Sequence, residues 1–173
     1  AYNKNRSMLN VFIVNGAKLD VRTPDGKTLV LMSLEKNDSP LLKLLAEKGA
    51  NVNEQQANGR YPLQFAVEKN QFANVKILID SNADIRVKDD KGNPLLATAI
   101  EKRSEPIAKL LLDKGAPPDG KDGQGRPHLL GAFDANQYGI FKLLLDLNAD
   151  ATIKNDKGSP LLAMAAENNR APF

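Results

Sequence analysis

The sequence predicts an all-α solenoid, in which stacked helix–turn–helix units are joined by short β-hairpin or turn fingers. Three observations carry that prediction. Glycines at 26, 59, 92, 125 and 158 stand 33 residues apart, a regularity that marks a tandem array of supersecondary units. A second grid, Gly16, Gly49, Asn82, Gly115 and Asn148, keeps the same interval, and alanine follows each member. Gly and Asn both tolerate left-handed backbone, so their exchange marks the residue just past a helix C-terminus. Ahead of that grid every unit carries an apolar pair: Val11–Phe12, Leu44–Leu45, Ile77–Leu78, Leu110–Leu111 and Leu143–Leu144. The helical period assigns these pairs to the core.

Bulk composition fits. The chain has 173 residues, 42% hydrophobic and 26% charged, with no Cys or Trp, so its core must form without disulfides. Lys plus Arg number 24 and Asp plus Glu 21, a net charge of +3 too balanced by itself to argue for nucleic acid or a membrane surface. No apolar run reaches the length of a membrane span. The chain reads as soluble and monomeric, with the cytoplasm slightly favoured and no address written in the sequence.

The period divides the chain, as a single domain, into a partial repeat 1–22, full repeats 23–55, 56–88, 89–121 and 122–154, and a partial repeat 155–173. Ala1–Phe12 aligns with Leu34–Leu45, so the first unit shows only its second helix. Ala171-Pro172-Phe173 aligns with Glu105-Pro106-Ile107, where a second helix begins. Because an uncovered repeat exposes its stacking face, an excerpt of a longer array is the expectation.

Within a unit the finger comes first. Asp25-Gly26 and Asn58-Gly59 suit a tight two-residue turn. A short first helix follows, with Val30, Leu63, Leu96, Leu129 and Leu162 four residues beyond the tip glycine. Ser33, Ala66, Ala99, Ala132 and Ala165, seven beyond it, are small enough for close packing. Pro62, Pro94, Pro127 and Pro160 sit at its start, where a missing N–H costs nothing, and Pro40 and Pro106 open the second helix in the same way. On that second helix Lys43, Lys76, Lys109 and Lys142 precede Glu47, Asp80, Asp113 and Asp146 by four residues, which makes a solvated outer face of self-paired charges. One finger differs: three Gly and three Pro between Ala116 and Pro127 predict a failure of regular strand pairing there.

A 33-residue unit with Gly-Arg-Tyr-Pro-Leu-Gln-Phe-Ala at 59–66 and Leu-Ala-Glu-Lys-Gly-Ala-Asn-Val-Asn at 45–53 closely resembles the ankyrin repeat, and the resemblance covers the whole chain. It implies an ankyrin-repeat solenoid acting as a non-enzymatic protein–protein interaction scaffold. The partner would bind the concave face formed by fingers and inner helices. The family's Thr-Pro-Leu-His becomes Thr28-Leu29-Val30-Leu31, Tyr61-Pro62-Leu63-Gln64 and Pro94-Leu95-Leu96-Ala97. No repeat retains that histidine, so its hydrogen bonds between fingers must be missing or replaced.

Residues able to do chemistry are scarce. There is one His and no Cys, a poor inventory for proton transfer or nucleophilic attack. His128 reads as a polar residue at a helix start. Gly120-Lys-Asp-Gly123-Gln-Gly125 lacks the Gly-Lys-Ser/Thr ending of a phosphate loop. Asp89-Asp90-Lys91-Gly92 lacks the rest of a calcium loop. No catalytic residue, cofactor or metal is expected.

The candidate partner-binding residues therefore lie on the finger and first-helix rows: Asp25, Lys27, Asn58, Arg60, Tyr61, Glu68, Lys69, Asp90, Lys91, Asn93, Glu101, Lys102, Gln124, Arg126 and Asp134. The finger row is basic and the helix row acidic at its inner edge, an arrangement that orients docking more than it adds affinity. Tyr61, and after it Tyr138, are the aromatic anchor candidates. Another protein is the expected partner and nucleic acid is not. The alternatives are polyanion or acidic-membrane binding through the basic row, or a regulatory segment of a larger enzyme.

Overall fold

The computed structural model describes residues 2–57 and 59–167, with side chains from residue 6 onward. Ten helices appear among them: α1 (Tyr2–Val14), α2 (Leu29–Glu35), α3 (Ser39–Glu47), α4 (Pro62–Glu68), α5 (Phe72–Asp80), α6 (Leu95–Glu101), α7 (Glu105–Asp113), α8 (His128–Asp134), α9 (Tyr138–Asp146) and α10 (Leu161–Glu167). The chain falls into two compact units, Ala1–Asp84 and Ile85–Phe173. In the first, α2 packs on α3 and α4 on α5; α2 and α4 form an inner layer, and α1, α3 and α5 an outer one. In the second, α6 and α8 form the inner layer and α7 and α9 the outer one. Each unit is thus a stack of helix pairs, as the all-α solenoid reading requires.

Inner helices α2, α4, α6 and α8 have 7 residues each, and outer helices α3, α5, α7 and α9 have 9. Their ends explain the sequence grids. After α3, the Gly49 N–H bonds to the Ala46 carbonyl at 3.0 Å and the Ala50 N–H to the Leu45 carbonyl at 2.9 Å. This paired closure requires a left-handed residue at its corner. The same pair recurs at Asn82–Ala83, Gly115–Ala116 and Asn148–Ala149, and φ at the corner is +62° and +63° for the two asparagines. A further left-handed grid, unnoticed in the sequence, reverses the chain between inner and outer helices: Asn37, Asn70, Arg103 and Asn136, with φ from +50° to +55°. Thr28 and Asp38 cap α2 and α3 through side-chain oxygens that accept from Leu31 N–H and Leu41 N–H, satisfying helix donors left without a partner.

The core is the apolar stripe with its small neighbours. Leu45, Leu78, Leu111 and Leu144 are fully buried, as are Ser33, Ala66, Ala99 and Ala132. Adjacent repeats are tied by polar links as well. Gln71 Nε2 donates to the Leu34 carbonyl at 2.8 Å, and Gln137 Nε2 to the Ile100 carbonyl at 2.7 Å.

Three expectations need correction. Val11 and Phe12 are 60% and 58% exposed, because α1 packs chiefly on the outer helix α3 through another face; Ile13 is the buried residue there. Leu162 is 80% exposed, unlike Val30, Leu63, Leu96 and Leu129, which are buried beneath the outer helices of their own repeats. The proline-rich finger pairs as regularly as the others: Lys121 bridges Pro127 just as Lys88 bridges Pro94 and Lys154 bridges Pro160. Its hydrogen bonds run from Asp122 N–H to the Arg126 carbonyl and from His128 N–H to the Gly120 carbonyl, both 2.9 Å. Pro127 is therefore never asked to donate. The expected arrest at Ala171–Phe173 lies outside the described residues.

Truncating Leu111 to Ala should destabilise the protein by about 2–5 kcal/mol, the cost of an unrelaxed core cavity. Truncating the half-buried Leu110 should cost clearly less. Urea unfolding of both variants checks the assignment of the two faces.

Candidate functional site

Three fingers are built around the side chain three positions before the tip glycine. The Asp89 carboxylate accepts from the Lys91 and Asn93 N–H groups at 2.9 and 2.8 Å. Asp122 does the same for Gln124 and Arg126, both at 2.9 Å, and Asn155 for Lys157 and Ser159 at 3.0 and 2.9 Å. Burial pushes the Asp89 carboxyl up, but bonds from the Asn93 side chain and from the Asn93 and Lys91 backbone hold it below the usual carboxylate range. Links between fingers replace those of the missing histidine. Asn53 donates to the Asn82 carbonyl and accepts from Asp84 N–H, at 2.9 and 2.8 Å. Asn93 accepts from Gly123 N–H at 2.8 Å, and Asp119 accepts from Asp150 N–H at 2.6 Å.

The basic finger row and the acidic helix row meet within each repeat. Lys27 reaches Glu35 at 3.0 Å, Arg60 reaches Glu68 at 2.9 Å, and Arg126 reaches Asp134 at 3.4 Å. Lys27 is held in its charged form by Glu35 first and then by Asp25, which lies 3.3 Å away. Among the four full repeats one breaks the pattern: Asn93 stands where the cation should be, and Glu101 pairs instead with Lys102 at 3.3 Å; the last, partial repeat has Ser159 at this place.

Each unit places a cleft between two successive fingers and an inner helix. In the first unit Asp25, Lys27, Glu35, Arg60 and Phe65 line a space of about 160 Å³. In the second, Lys91, Asn93, Glu101, Arg103, Arg126 and Gly131 line about 430 Å³. These are the same site shifted by 66 residues: Asp25 corresponds to Lys91, Lys27 to Asn93, Arg60 to Arg126 and Phe65 to Gly131. Gln124 also lines the larger cleft. Glu68, Lys102 and Asp134 are ion-pair partners at the inner-helix ends. Lys69 lies over the Phe65 ring, 5.8 Å from its centroid. Asp90 is exposed at its finger tip, and Tyr61 is half-buried at the start of α4, where its N–H bonds to Gln64 Oε1 at 3.4 Å. Asn58 lies outside the described residues. Sequence reasoning missed Phe65, Arg103, Gly131 and Ala135. The available signal was variation at a fixed place in the period: Met32, Phe65, Thr98 and Gly131 in one row, and Lys36, Lys69, Lys102 and Ala135 in another.

His128 is only 2% exposed, and neither ring nitrogen hydrogen-bonds within the protein. Its ring presses so closely on Gly120 that a Cβ there would stand 2.5 Å from Cε1. Burial lowers its pKa below the usual histidine value, against smaller opposing effects of the Pro117 carbonyl and the Asp122 carboxylate. The folded protein thus binds this proton less readily than the unfolded chain. The neutral ring's contribution is complete above about pH 6.5 and is lost as pH falls through the lowered folded value. His128→Leu should flatten the fall in urea midpoint between neutral pH and pH 5, and a fall of unchanged size would assign it to other groups.

Among the described residues no helix is long and apolar enough to cross a membrane, and no cluster of three His, Asp or Glu residues could hold a metal ion.

The family profile described as ankyrin repeats (3 copies) matches residues 1–89. The comparison with curated proteins finds no match. Among solved structures, the ankyrin repeat domain of Bcl-3, described as a unique member of the IkappaB protein family, superposes with a TM-score of 0.74. It shares 24% sequence identity, and the alignment covers 96% of this chain and 75% of that one. At that identity the likeness speaks for the fold.

Proposed function

Because this chain belongs to the ankyrin-repeat family, whose repeats generally mediate protein–protein interaction, we propose that it is a non-enzymatic scaffold that binds a partner protein on the face formed by its fingers and inner helices. The observation that carries this reading is the pair of homologous clefts, each bounded by two fingers and an inner helix. Between them they draw in eight of the fifteen residues singled out in the sequence: Asp25, Lys27, Arg60, Lys91, Asn93, Glu101, Gln124 and Arg126. The outer helices present a different surface. Their exposed lysines stand one turn from acids, as in the Lys43–Glu47 pair at 3.8 Å, and such pairs keep a surface solvated.

Charge bears on the partner's class. Of the cations that directly follow the tip glycines, Lys27, Arg60 and Arg126 are each matched by a carboxylate of their own repeat, so these positions carry little uncommitted positive charge. That favours a protein over a polyanion or an acidic membrane, whose binding draws on many free cations.

A partner captured with the intact chain should slow amide exchange at the fingers and inner helices and leave the outer helices unchanged. Protection centred on α3, α5, α7 and α9 would overturn the reading. Arg60→Gln combined with Arg126→Gln should weaken that partner several-fold while changing stability by less than about 1 kcal/mol per site, as expected for exposed ion pairs.

A further inference from the structure

The two clefts are copies of one site, yet one is filled and the other is open. In the first unit Phe65 projects from α4 into the site, with Lys69 laid over its ring. In the second, the corresponding residues are Gly131 and Ala135, and Leu31 has become Ala97. Three long side chains have been exchanged for small ones on a single floor, and the cleft is larger, about 430 against 160 Å³. Part of that floor is the Arg126 guanidinium, whose Nη2 lies 3.1 Å from where a Cβ on Gly131 would stand.

The rim differs as well. Asp25 of the first cleft is replaced by Lys91 in the second, and the turn after α6 adds Arg103. Both cations are exposed, and neither forms a close ion pair with a carboxylate of the described residues; Asp89 attracts Lys91 only as the smallest of the influences on its own carboxyl. The acids on this rim are engaged: Glu101 pairs with Lys102, and Asp122 accepts two finger N–H groups and pairs with Arg126. Arg103 also holds the left-handed position that Asn37, Asn70 and Asn136 occupy in the other repeats, where a long side chain is disfavoured.

We propose that the cleft of the second unit receives one aromatic side chain of an extended partner segment, flanked by acidic residues. The inference rests on the functional reading above and names the partner's chemistry at that site. The ring takes the place that Phe65 fills in the first unit and lies against the Arg126 guanidinium, which stacks well on aromatic faces. Neighbouring carboxylates meet Lys91 and Arg103, the two rim cations that form no close ion pair.

The chain contains no Trp, so the fluorescence of a tryptophan-bearing probe reports the probe alone. The test titrates the intact chain into a capped Gly-Glu-Trp-Glu-Gly peptide. Saturable binding is expected, weakened about tenfold or more when the peptide's Trp becomes Ala or its Glu residues become Lys. Gly131→Phe with Ala135→Lys rebuilds the filled cleft and should remove binding, with the helical circular dichroism retained. Arg103→Asn supplies an independent variant with opposed signs, raising the urea midpoint while weakening the peptide several-fold.

Equal binding by the filled variant, or by the peptide lacking its ring, would overturn the proposal. So would binding of polyphosphate or anionic vesicles that competes with the peptide and survives the filling substitutions. If the peptide fails while a captured partner still protects fingers and inner helices, only the aromatic–acidic assignment falls. Protection on the outer helices instead would remove the functional reading beneath it.

Discussion

The fold depends on the chain turning back three times in every repeat through a left-handed residue. The finger tip uses glycine, the inner-to-outer reversal mostly asparagine, and the exit from the outer helix glycine or asparagine. L-residues pay a steric penalty in this conformation that Gly escapes and Asn tolerates best. Reversals that tight leave no slack between elements, so each repeat returns the chain to the same phase. Residues 33 apart then fall on one row of a unit, which is how Lys27 and Arg60, or Asn93 and Arg126, come to border a common cleft.

Within that frame the charged rows act locally. A lysine or arginine just after the tip glycine folds onto an acid eight residues on, closing the finger against the end of its own inner helix. Exposed pairs of this kind contribute little to stability, but they fix where the finger lies and consume the charge that a row would otherwise offer. On the proposed reading, recognition is left to the positions that break the pattern. Asn93 replaces the cation and commits its side chain to Asp89 and to the next finger, while Lys91 and Arg103 form no close ion pair.

The period, the helix ends and the buried stripe were all legible in the sequence, because each is a local rule repeated several times over. Gly49 and Asn82 announce the same closure in two spellings, and Leu78 and Leu111 the same buried face. Local rules fail where burial depends on a neighbour. Phe12 has the pattern of Leu45 but lies on a helix that packs chiefly on α3, and Leu162 has the pattern of Leu63 yet stays exposed. The proline-rich finger misled for another reason: proline forbids donation, and the bridge there needs donors only from Asp122 and His128. The clefts were half legible. Their charged rims could be read from the rows, whereas their depth is set by Phe65 and Gly131, which matter only once two fingers are known to overhang them.

Seen together, the departures in the second unit are not scattered. Gly131 interrupts a helix interior, at a cost of about 1 kcal/mol against alanine. Arg103 holds a left-handed position, which costs an ordinary side chain roughly 1–2 kcal/mol. His128 buries two ring nitrogens without a partner in the protein, and unmet polar groups of that kind cost about 1–3 kcal/mol each. All three border the same cleft. Other repeats do without all three: Asn37, Asn70 and Asn136 serve at the reversal, Met32, Phe65 and Thr98 on the floor, and Leu29, Pro62 and Leu95 at the helix start. Stability given up repeatedly at one place, in a fold that elsewhere repeats its best solutions, is what a site shaped for a partner requires: an open floor, an arginine held at the rim, and a helix start whose packing holds the finger above it.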